Sequence, residues 1–285
     1  MVEVAPLSEL VLEKEAALRR WLAQQPKVVV AYSGGVDSAY LAKVAHGVLG
    51  DRALAVTGRS PSLLELELKE AQALAESIGI AHRIVETKEL DRPGYVENDV
   101  GRCYHCKTEL FDVTALVAGE LVGAVVVDGF NADDLLDHRP GHRAAAEHQV
   151  AHPLAEVGLQ KSEIRALSKA LGLPTWQKPQ LACLSSRLPY GMSVTAERLA
   201  RVGAVEVALR GLGFFDLRAR LVKDNEDLVR IELGEEELSR LMDPTLRAQV
   251  VAAGRAAGFR FVTVDLEGFR SGRLNEGLVQ LKRRN

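Results

Sequence analysis

The sequence predicts an α/β chain: a doubly wound parallel sheet within residues 1–190, then a smaller α+β domain in residues 191–285. Three observations predict it. Val28-Val29-Val30-Ala31 and Ala124-Val125-Val126-Val127 are continuous β-branched runs, the pattern of strands buried on both faces. Helical patterns lie between the strands, which implies βαβ units with helices on both sides of a parallel sheet. Beyond Gly191 the texture changes to alternating strands around a polar turn.

The elements follow in order. Leu7 to Leu22 reads as an amphipathic helix with Ser8 near its start and Glu9, Glu13, Lys14, Glu15, Arg19 and Arg20 as its solvated face. Pro26 breaks it, and the first strand runs into Tyr32-Ser33-Gly34-Gly35-Val36-Asp37-Ser38. Ala39, Tyr40, Leu41, Val44, Ala45, Val48 and Leu49 then carry helical spacing. Arg52 to Thr57 is a second strand. Pro61 to Ile78 is a long helix, with Pro61 suited to its first turn. Arg83 to Val85 is a short strand. Lys88 to Arg102, with Pro93, Gly94, Asn98 and Gly101, is too polar and punctuated for a core and is expected as an irregular segment. It leads into Cys103-Tyr104-His105-Cys106, after which a helix is expected over Lys107 to Val117. The strand ending at Asp128 continues into Gly129-Phe130-Asn131-Ala132-Asp133-Asp134.

The histidines of Leu135 to His152 are expected to be solvated loop residues. A metal pair of His138 and His142 is disfavoured by Pro140 and Gly141 between them. Lys161 to Leu171 is a helix stopped by Gly172. The proline-rich segment after it, to Arg187, is a loop with Cys183 in its middle. In the second domain Thr195 caps a helix to Leu212. Leu217 to Val222 and Leu228 to Leu233 pair around Asp224-Asn225 in a mainly antiparallel sheet. Glu235 to Met242 and Pro244 to Ala257 are helices, Phe259 to Val264 is the last strand, and Lys282-Arg283-Arg284 is a solvated tail.

Composition narrows the function classes. At 285 residues, 47% hydrophobic and 26% charged, the chain is an ordinary globular protein with room for two domains. A net charge of −3 argues against broad nucleic-acid binding. No apolar run reaches the ~18 residues of a membrane span. Glu3, Glu13 and Glu15 stand where a basic-then-apolar leader would be, so a cytoplasmic setting is expected. Two of the three cysteines are spaced Cys-X-X-Cys, which in that setting suggests metal or redox work.

The chemistry starts at Ser33–Ser38. Gly34 and Gly35 permit a tight turn and close approach to a ligand. The following helix aims its free N–H groups and positive dipole end at the loop, which is an anion site. No lysine follows the glycines, so this is not the Gly-Lys-Ser/Thr phosphate loop. The string Ser-Gly-Gly-X-Asp-Ser, framed by strand and helix, resembles the signature of the PP-loop ATP pyrophosphatase superfamily, with its adenine nucleotide α-hydrolase-like fold. That resemblance implies cleavage of ATP between the α- and β-phosphates and transfer of AMP to an acceptor oxygen. It also marks Gly58, Arg59 and Ser60, after the second strand, as the backbone that would hold adenine, with Thr57 at the strand end a further cofactor-binding candidate. Ser33, Thr57 and Asp128 fall at carboxyl ends of strands, where ligands of such sheets bind.

The residues alone leave the cysteines open between a zinc site with a further ligand, a redox pair, three ligands of an iron–sulfur cluster, and unrelated thiols. Seven stretches narrow this. Arg102-Cys103-Tyr104-His105-Cys106-Lys107, Asp128-Gly129-Phe130-Asn131-Ala132-Asp133-Asp134, Arg139-Pro140-Gly141, Lys161-Ser162-Glu163-Ile164-Arg165, Pro174-Thr175-Trp176, Ala182-Cys183-Leu184-Ser185-Ser186-Arg187 and Asp265-Leu266-Glu267-Gly268-Phe269-Arg270 resemble the LarE family in order, over nearly the whole chain. The resemblance implies an ATP-dependent sulfur transferase that adenylates the carboxylates of pyridinium-3,5-dicarboxylate mononucleotide and makes thiocarboxylates for the nickel-pincer cofactor of lactate racemase. Family members are homo-oligomers, often hexamers. One type gives up the sulfur of the cysteine matching Cys183. The other holds a [4Fe-4S] cluster on three cysteines, and the full set Cys103, Cys106 and Cys183 favours it here.

Under that resemblance Ser33, Gly34, Gly35, Asp37 and Ser38 hold ATP phosphates directly or through Mg²⁺, with Asp37 the metal-linked carboxylate. Asp128, Asn131 and Asp134 border the adenylate. Arg187 and Arg139 neutralise phosphate. Arg218 and Arg220, two apart on one strand face, suit the substrate phosphate. Glu206 and Glu232 are further candidates. A PP-loop tRNA-thiolation enzyme would need a basic surface and commonly more cysteines. An amide-forming synthetase would need an ammonia source, and a non-catalytic nucleotide or iron–sulfur module would release no pyrophosphate.

Overall fold

The computed structural model describes residues 7–136, 141–179 and 182–270. His138, Arg139 and Pro140, Gln180 and Leu181, and the basic tail lie outside the described residues. Strands β1 (Lys27–Ala31), β2 (Ala53–Arg59), β3 (Ala81–Glu86) and β4 (Ala124–Asp128) form one parallel sheet in the order β3-β2-β1-β4. The strands β5 (Leu217–Val222), β6 (Asn225–Leu233) and β7 (Phe261–Val264) form a second sheet. In chain order the helices are α1 (Glu9–Ala23), α2 (Val36–Leu49), α3 (Glu65–Ile78), α4 (Pro93–Val96), α5 (Arg102–Gly119), α6 (Gly141–Glu147), α7 (Pro153–Glu156), α8 (Lys161–Ala170), α9 (Ala196–Gly211), α10 (Glu235–Leu238) and α11 (Pro244–Ala256).

Two compact units result. The first takes residues 7–60, 65–89 and 101–179; the second takes 61–64, 90–100 and 182–270. In the first unit β1 lies inside the sheet, and Val28, Val29 and Val30 are fully buried. Because side chains alternate along a strand, Val28 and Val30 meet α1, α2, α3 and α8 through Leu18, Leu41, Leu74 and Ile164. Val29 and Val56 meet Val117 and Ala118 of α5 on the opposite face, and Ala31 joins Phe111, Ala144 and Ala145. Helices therefore cover both faces, as a doubly wound sheet requires. In the second unit Leu199, Val202, Val205 and Leu209 of α9 and the inward residues Leu217, Ala219, Ile231 and Leu233 are buried. No helix among the described residues is long and apolar enough to cross a membrane.

Four sequence expectations are corrected. The α3 helix begins at Glu65, so Pro61 does not open it. Residues 61–64 are held in the second unit instead: Ser62 O accepts from Leu184 N (2.9 Å), and Ser62 Oγ pairs with the Tyr95 hydroxyl. The polar stretch before Arg102 does reach a core, since Tyr95 of α4 and Asn98 are fully buried. Asn98 is tolerated there because its side chain is bonded: Nδ2 donates to Pro189 O (2.8 Å) and Met192 O (2.7 Å). Cys103 and Cys106 lie on the first turn of α5, not ahead of it. In the second sheet β5 and β6 pair antiparallel, but β7 joins β6 in parallel, making the sheet mixed.

Asn98 also sits at φ 55°, a left-handed position that asparagine accepts better than most residues. Asn98→Ala should therefore lower stability by about 2–4 kcal/mol, from the Met192 carbonyl left without a donor, the bond to Pro189 O lost and a strained backbone. Urea unfolding of the full chain measures it, and a loss within about 0.5 kcal/mol, the size of an ordinary surface change, would contradict this account.

Candidate active site

The turn after β1 is shaped by positions where no side chain fits. Gly34 has φ 68°, and a Cβ there would lie 2.7 Å from Ala71 Cβ. A Cβ on Gly129 would lie 2.8 Å from Ser38 N, so the end of β4 comes directly against the first turn of α2. Ser33 and Ser38 face each other with their hydroxyls 3.1 Å apart, and Ser38 Oγ accepts from Ser33 N (3.2 Å). Gly35 caps α2 without a side-chain bond, so the first N–H groups of the helix stay available to a ligand at the loop. Hydroxyls, free N–H groups and a helix dipole make a cradle for phosphate oxygens.

Around this cradle the rim is acidic. Register pairs Ala31 with Asp128 on one side and Val56 on the other, so Ser33, Thr57 and Asp128 share one end of the sheet. Asp128 Oδ1 accepts from Phe130 N (3.1 Å) and lies 2.7 Å from His152 Nδ1. Asn131 Oδ1 accepts from Asp133 N (3.0 Å), and Asp134 Oδ2 accepts from Asn131 N (3.2 Å). Asp37 Oδ2 is bound by Lys161 Nζ from the start of α8, a residue 124 positions away. Burial lifts the Asp37 carboxyl above its ordinary range, Lys161 pulls it back down, and Asp134 adds to the rise.

Lys161 is the cation that sequence reasoning missed; the missing lysine in the loop was the signal for it. Asp37 Oδ1 is buried with no hydrogen-bond partner. An orphaned carboxylate oxygen beside a phosphate cradle fits Mg²⁺, which takes one or two carboxylates plus substrate phosphates. Among the described residues no three His, Cys, Asp or Glu side chains are gathered into a ready-made metal site.

The residues after β2 are engaged in structure. The Thr57 hydroxyl donates to Tyr32 O (2.7 Å) and lies 2.8 Å from His82 Nε2. Burial holds the His82 imidazole below its usual range. A Cβ on Gly58 would lie 2.8 Å from Thr87 Cγ2, and Arg59 pairs with Glu65 (2.7 Å). The histidines after β4 are not simply solvated. His142 and His152 both pack on Phe130, with centroids 4.3 and 4.6 Å away, and His148 Nε2 lies 2.8 Å from Asp112.

Cys103 is exposed and Cys106 half-buried, three apart on one turn and so on one helix face. That turn leans on α6: the Tyr104 hydroxyl donates to Glu147 (2.6 Å), and Arg143 lies 3.9 Å over the Tyr104 ring. In the second unit Cys183 is exposed, with Sγ 2.9 Å from Ser185 Oγ. Thiols turned to solvent suit sulfur chemistry better than packing.

The loop carrying Cys183 is anchored by Arg187, which is 1% exposed. Its guanidinium makes a two-pronged bond to Glu206 (2.7 and 2.9 Å) and donates to Ala182 O (2.7 Å) and Ser186 Oγ (2.9 Å). Arg218 and Arg220 are buried, not a solvated strand face. Arg220 donates to Ser186 O (2.7 Å) and pairs with Glu232 (2.7 Å). Arg218 stacks on Phe269 at 4.6 Å, and burial, then the charge of Arg187, pushes its pKa down to about 10. A cavity of about 230 Å³ is lined by Arg187, Arg220, Lys223 and Arg230. Lys223 and Arg230 were missed in the sequence, and Arg218 does not line it.

Known proteins resemble the chain at two levels. The family model described as NAD synthase matches residues 10–98. An uncharacterized protein of Synechocystis sp. is 46% identical over 263 residues, covering 92% of this chain and 97% of that protein. Pyridinium-3,5-bisthiocarboxylic acid mononucleotide synthase of Lactiplantibacillus plantarum is 35% identical over 268 residues, covering 94% of this chain and 95% of that protein. A glutamine-hydrolyzing GMP synthase component of Methanococcus maripaludis is 31% identical over 165 residues, 52% of this chain and 51% of that protein.

The cradle predicts unequal tolerance at its two glycines. Gly34→Ala should destabilise the chain by at least about 1 kcal/mol and weaken nucleotide binding, because φ is positive and Ala71 blocks the Cβ. Gly35→Ala, whose Cβ would meet only Ser33 Oγ at 3.3 Å, should cost less. Denaturation of both variants checks the order, and equal losses would contradict it.

Proposed function

The chain belongs to the LarE family, and from that premise we propose that it is an ATP-dependent sulfur transferase acting on pyridinium-3,5-dicarboxylate mononucleotide. The observation that carries the reading is that one chain holds both a phosphate cradle, at Ser33–Ser38 in the first unit, and an exposed thiol, Cys183 on an anchored loop in the second. A carboxylate resists nucleophiles, so it must first be activated. A substrate carboxylate oxygen attacks the α-phosphate of ATP, pyrophosphate leaves, and an acyl-adenylate forms. Ser33, Gly34, Gly35, Ser38 and the start of α2 hold the phosphates in line. Asp37 would hold Mg²⁺, which supplies charge neutralisation at the phosphates when bound.

Asp128, Asn131 and Asp134 border the adenylate, and the β2 end from Thr57 faces the adenine. A sulfur nucleophile then attacks the activated carbon and AMP leaves. If Cys183 is the donor, its Sγ becomes acylated, and loss of the Cα proton with cleavage of Cβ–Sγ leaves dehydroalanine and a thiocarboxylate. A [4Fe-4S] cluster held by Cys103, Cys106 and Cys183 would instead supply an exchangeable sulfide. Residues 191–285 serve as a second domain for substrate binding and homo-oligomer formation. Arg220, Lys223 and Arg230 of that domain, with Arg187 from the segment just before it, line a pocket that suits the phosphate of a mononucleotide.

Anaerobic incubation with ATP and the dicarboxylate mononucleotide should release pyrophosphate. Cys183→Ala should keep one round of that release and lose thiocarboxylate by at least about 10³-fold. Thiocarboxylate formed by Cys183→Ala at the wild-type level would overturn the reading. Bound iron and sulfide after anaerobic reconstitution, lost in Cys103→Ala, would assign the cluster. A colourless, iron-free chain lighter by one H₂S after turnover would assign the sacrificial route.

A further inference from the structure

The loop after β1 has no cation of its own. Asp37 lies within it, and Asp128, Asp133 and Asp134 add negative charge on the neighbouring rim. Lys161 brings a positive charge from another element. Its base is fixed: Lys161 N donates to Asp133 Oδ2 (2.8 Å), Gln160 N donates to Glu163 (2.8 Å), and Lys14 Nζ holds Glu163 at 2.7 Å. Its tip is less constrained, with the side chain 32% exposed. One oxygen of Asp37 takes that tip, while the other is buried without a hydrogen-bond partner. The lysine and a divalent cation would therefore compete for the same carboxylate.

We propose that Lys161 is a nucleotide-operated latch: it occupies Asp37 in the ligand-free chain and transfers to the β- and γ-phosphates when ATP enters, where it neutralises the departing pyrophosphate. The proposal rests on the adenylation reading. In that step a carboxylate oxygen bonds to the α-phosphorus, the bridging bond to the β-phosphate breaks, and its electron pair leaves with pyrophosphate. Negative charge grows on the oxygens that the ammonium reaches, so the contact strengthens toward the transition state. Asp37, released, offers both oxygens to a hard cation. Metal loading is thereby tied to nucleotide arrival.

The test uses the full chain and its Lys161→Gln and Lys161→Arg variants. Mn²⁺ binding without nucleotide is read by electron paramagnetic resonance, and ATP and AMP binding by calorimetry. Lys161→Gln should bind Mn²⁺ about tenfold more tightly without nucleotide and ATP about 10- to 100-fold more weakly. AMP, which lacks the contacted phosphates, should bind Lys161→Gln within about twofold of wild type, as expected for additive, independent contacts. Lys161→Arg should keep most of the ATP affinity. Wild-type ATP affinity in Lys161→Gln, unchanged Mn²⁺ affinity, or equal losses for ATP and AMP would each overturn the latch. A wild-type chain that binds no ATP would overturn the adenylation reading with it.

Discussion

An acidic rim set against a phosphate cradle is the constraint on which the first unit depends. Asp37, Asp128, Asp133 and Asp134 crowd the start of α2, and each is held by a named donor. The favourable charges are the α2 dipole, worth roughly half a positive charge at its start, and Lys161. Both act only over short distances, so the ligand must come close. Gly34 and Gly129 allow that approach, since a side chain at either would strike Ala71 or Ser38. Burial of β1 between two helix layers fixes where the turn begins.

The second unit faces the opposite excess. Arg187, Arg218, Arg220 and Arg230 gather around two buried glutamates, Glu206 and Glu232. Burying such pairs costs desolvation that their attraction offsets only with good geometry. Arg187 has that geometry, with a forked bond to Glu206 and further bonds to the Cys183 loop. Burial, then the charge of Arg187, lowers the pKa of Arg218.

Much of the fold is legible in the sequence because its signals are local. Val28–Ala31 and Ala124–Val127 announce buried strands, and Ser8, Thr195 and Gly172 mark helix ends where the structure has them. What was hidden depends on distant partners. Tyr95 and Asn98 look like loop residues until Pro189 and Met192 supply the bonds that let asparagine be buried. The start of α5 was obscured because cysteine, tyrosine and histidine are weak helix formers. Lys161 in the first unit and Arg230 in the second were placed only by tertiary contact and strand register, the latter setting Arg230 opposite Arg220.

The central claim is that the Ser33–Ser38 loop passes AMP to a carboxylate before sulfur arrives. It is tested most directly with substrate labelled with ¹⁸O in its carboxylates. Incubation with ATP and analysis of AMP and pyrophosphate by mass spectrometry follows the oxygen that bridges the adenylate. The account predicts one labelled oxygen in the phosphate of each AMP released and none in pyrophosphate. Unlabelled AMP alongside thiocarboxylate product would contradict it.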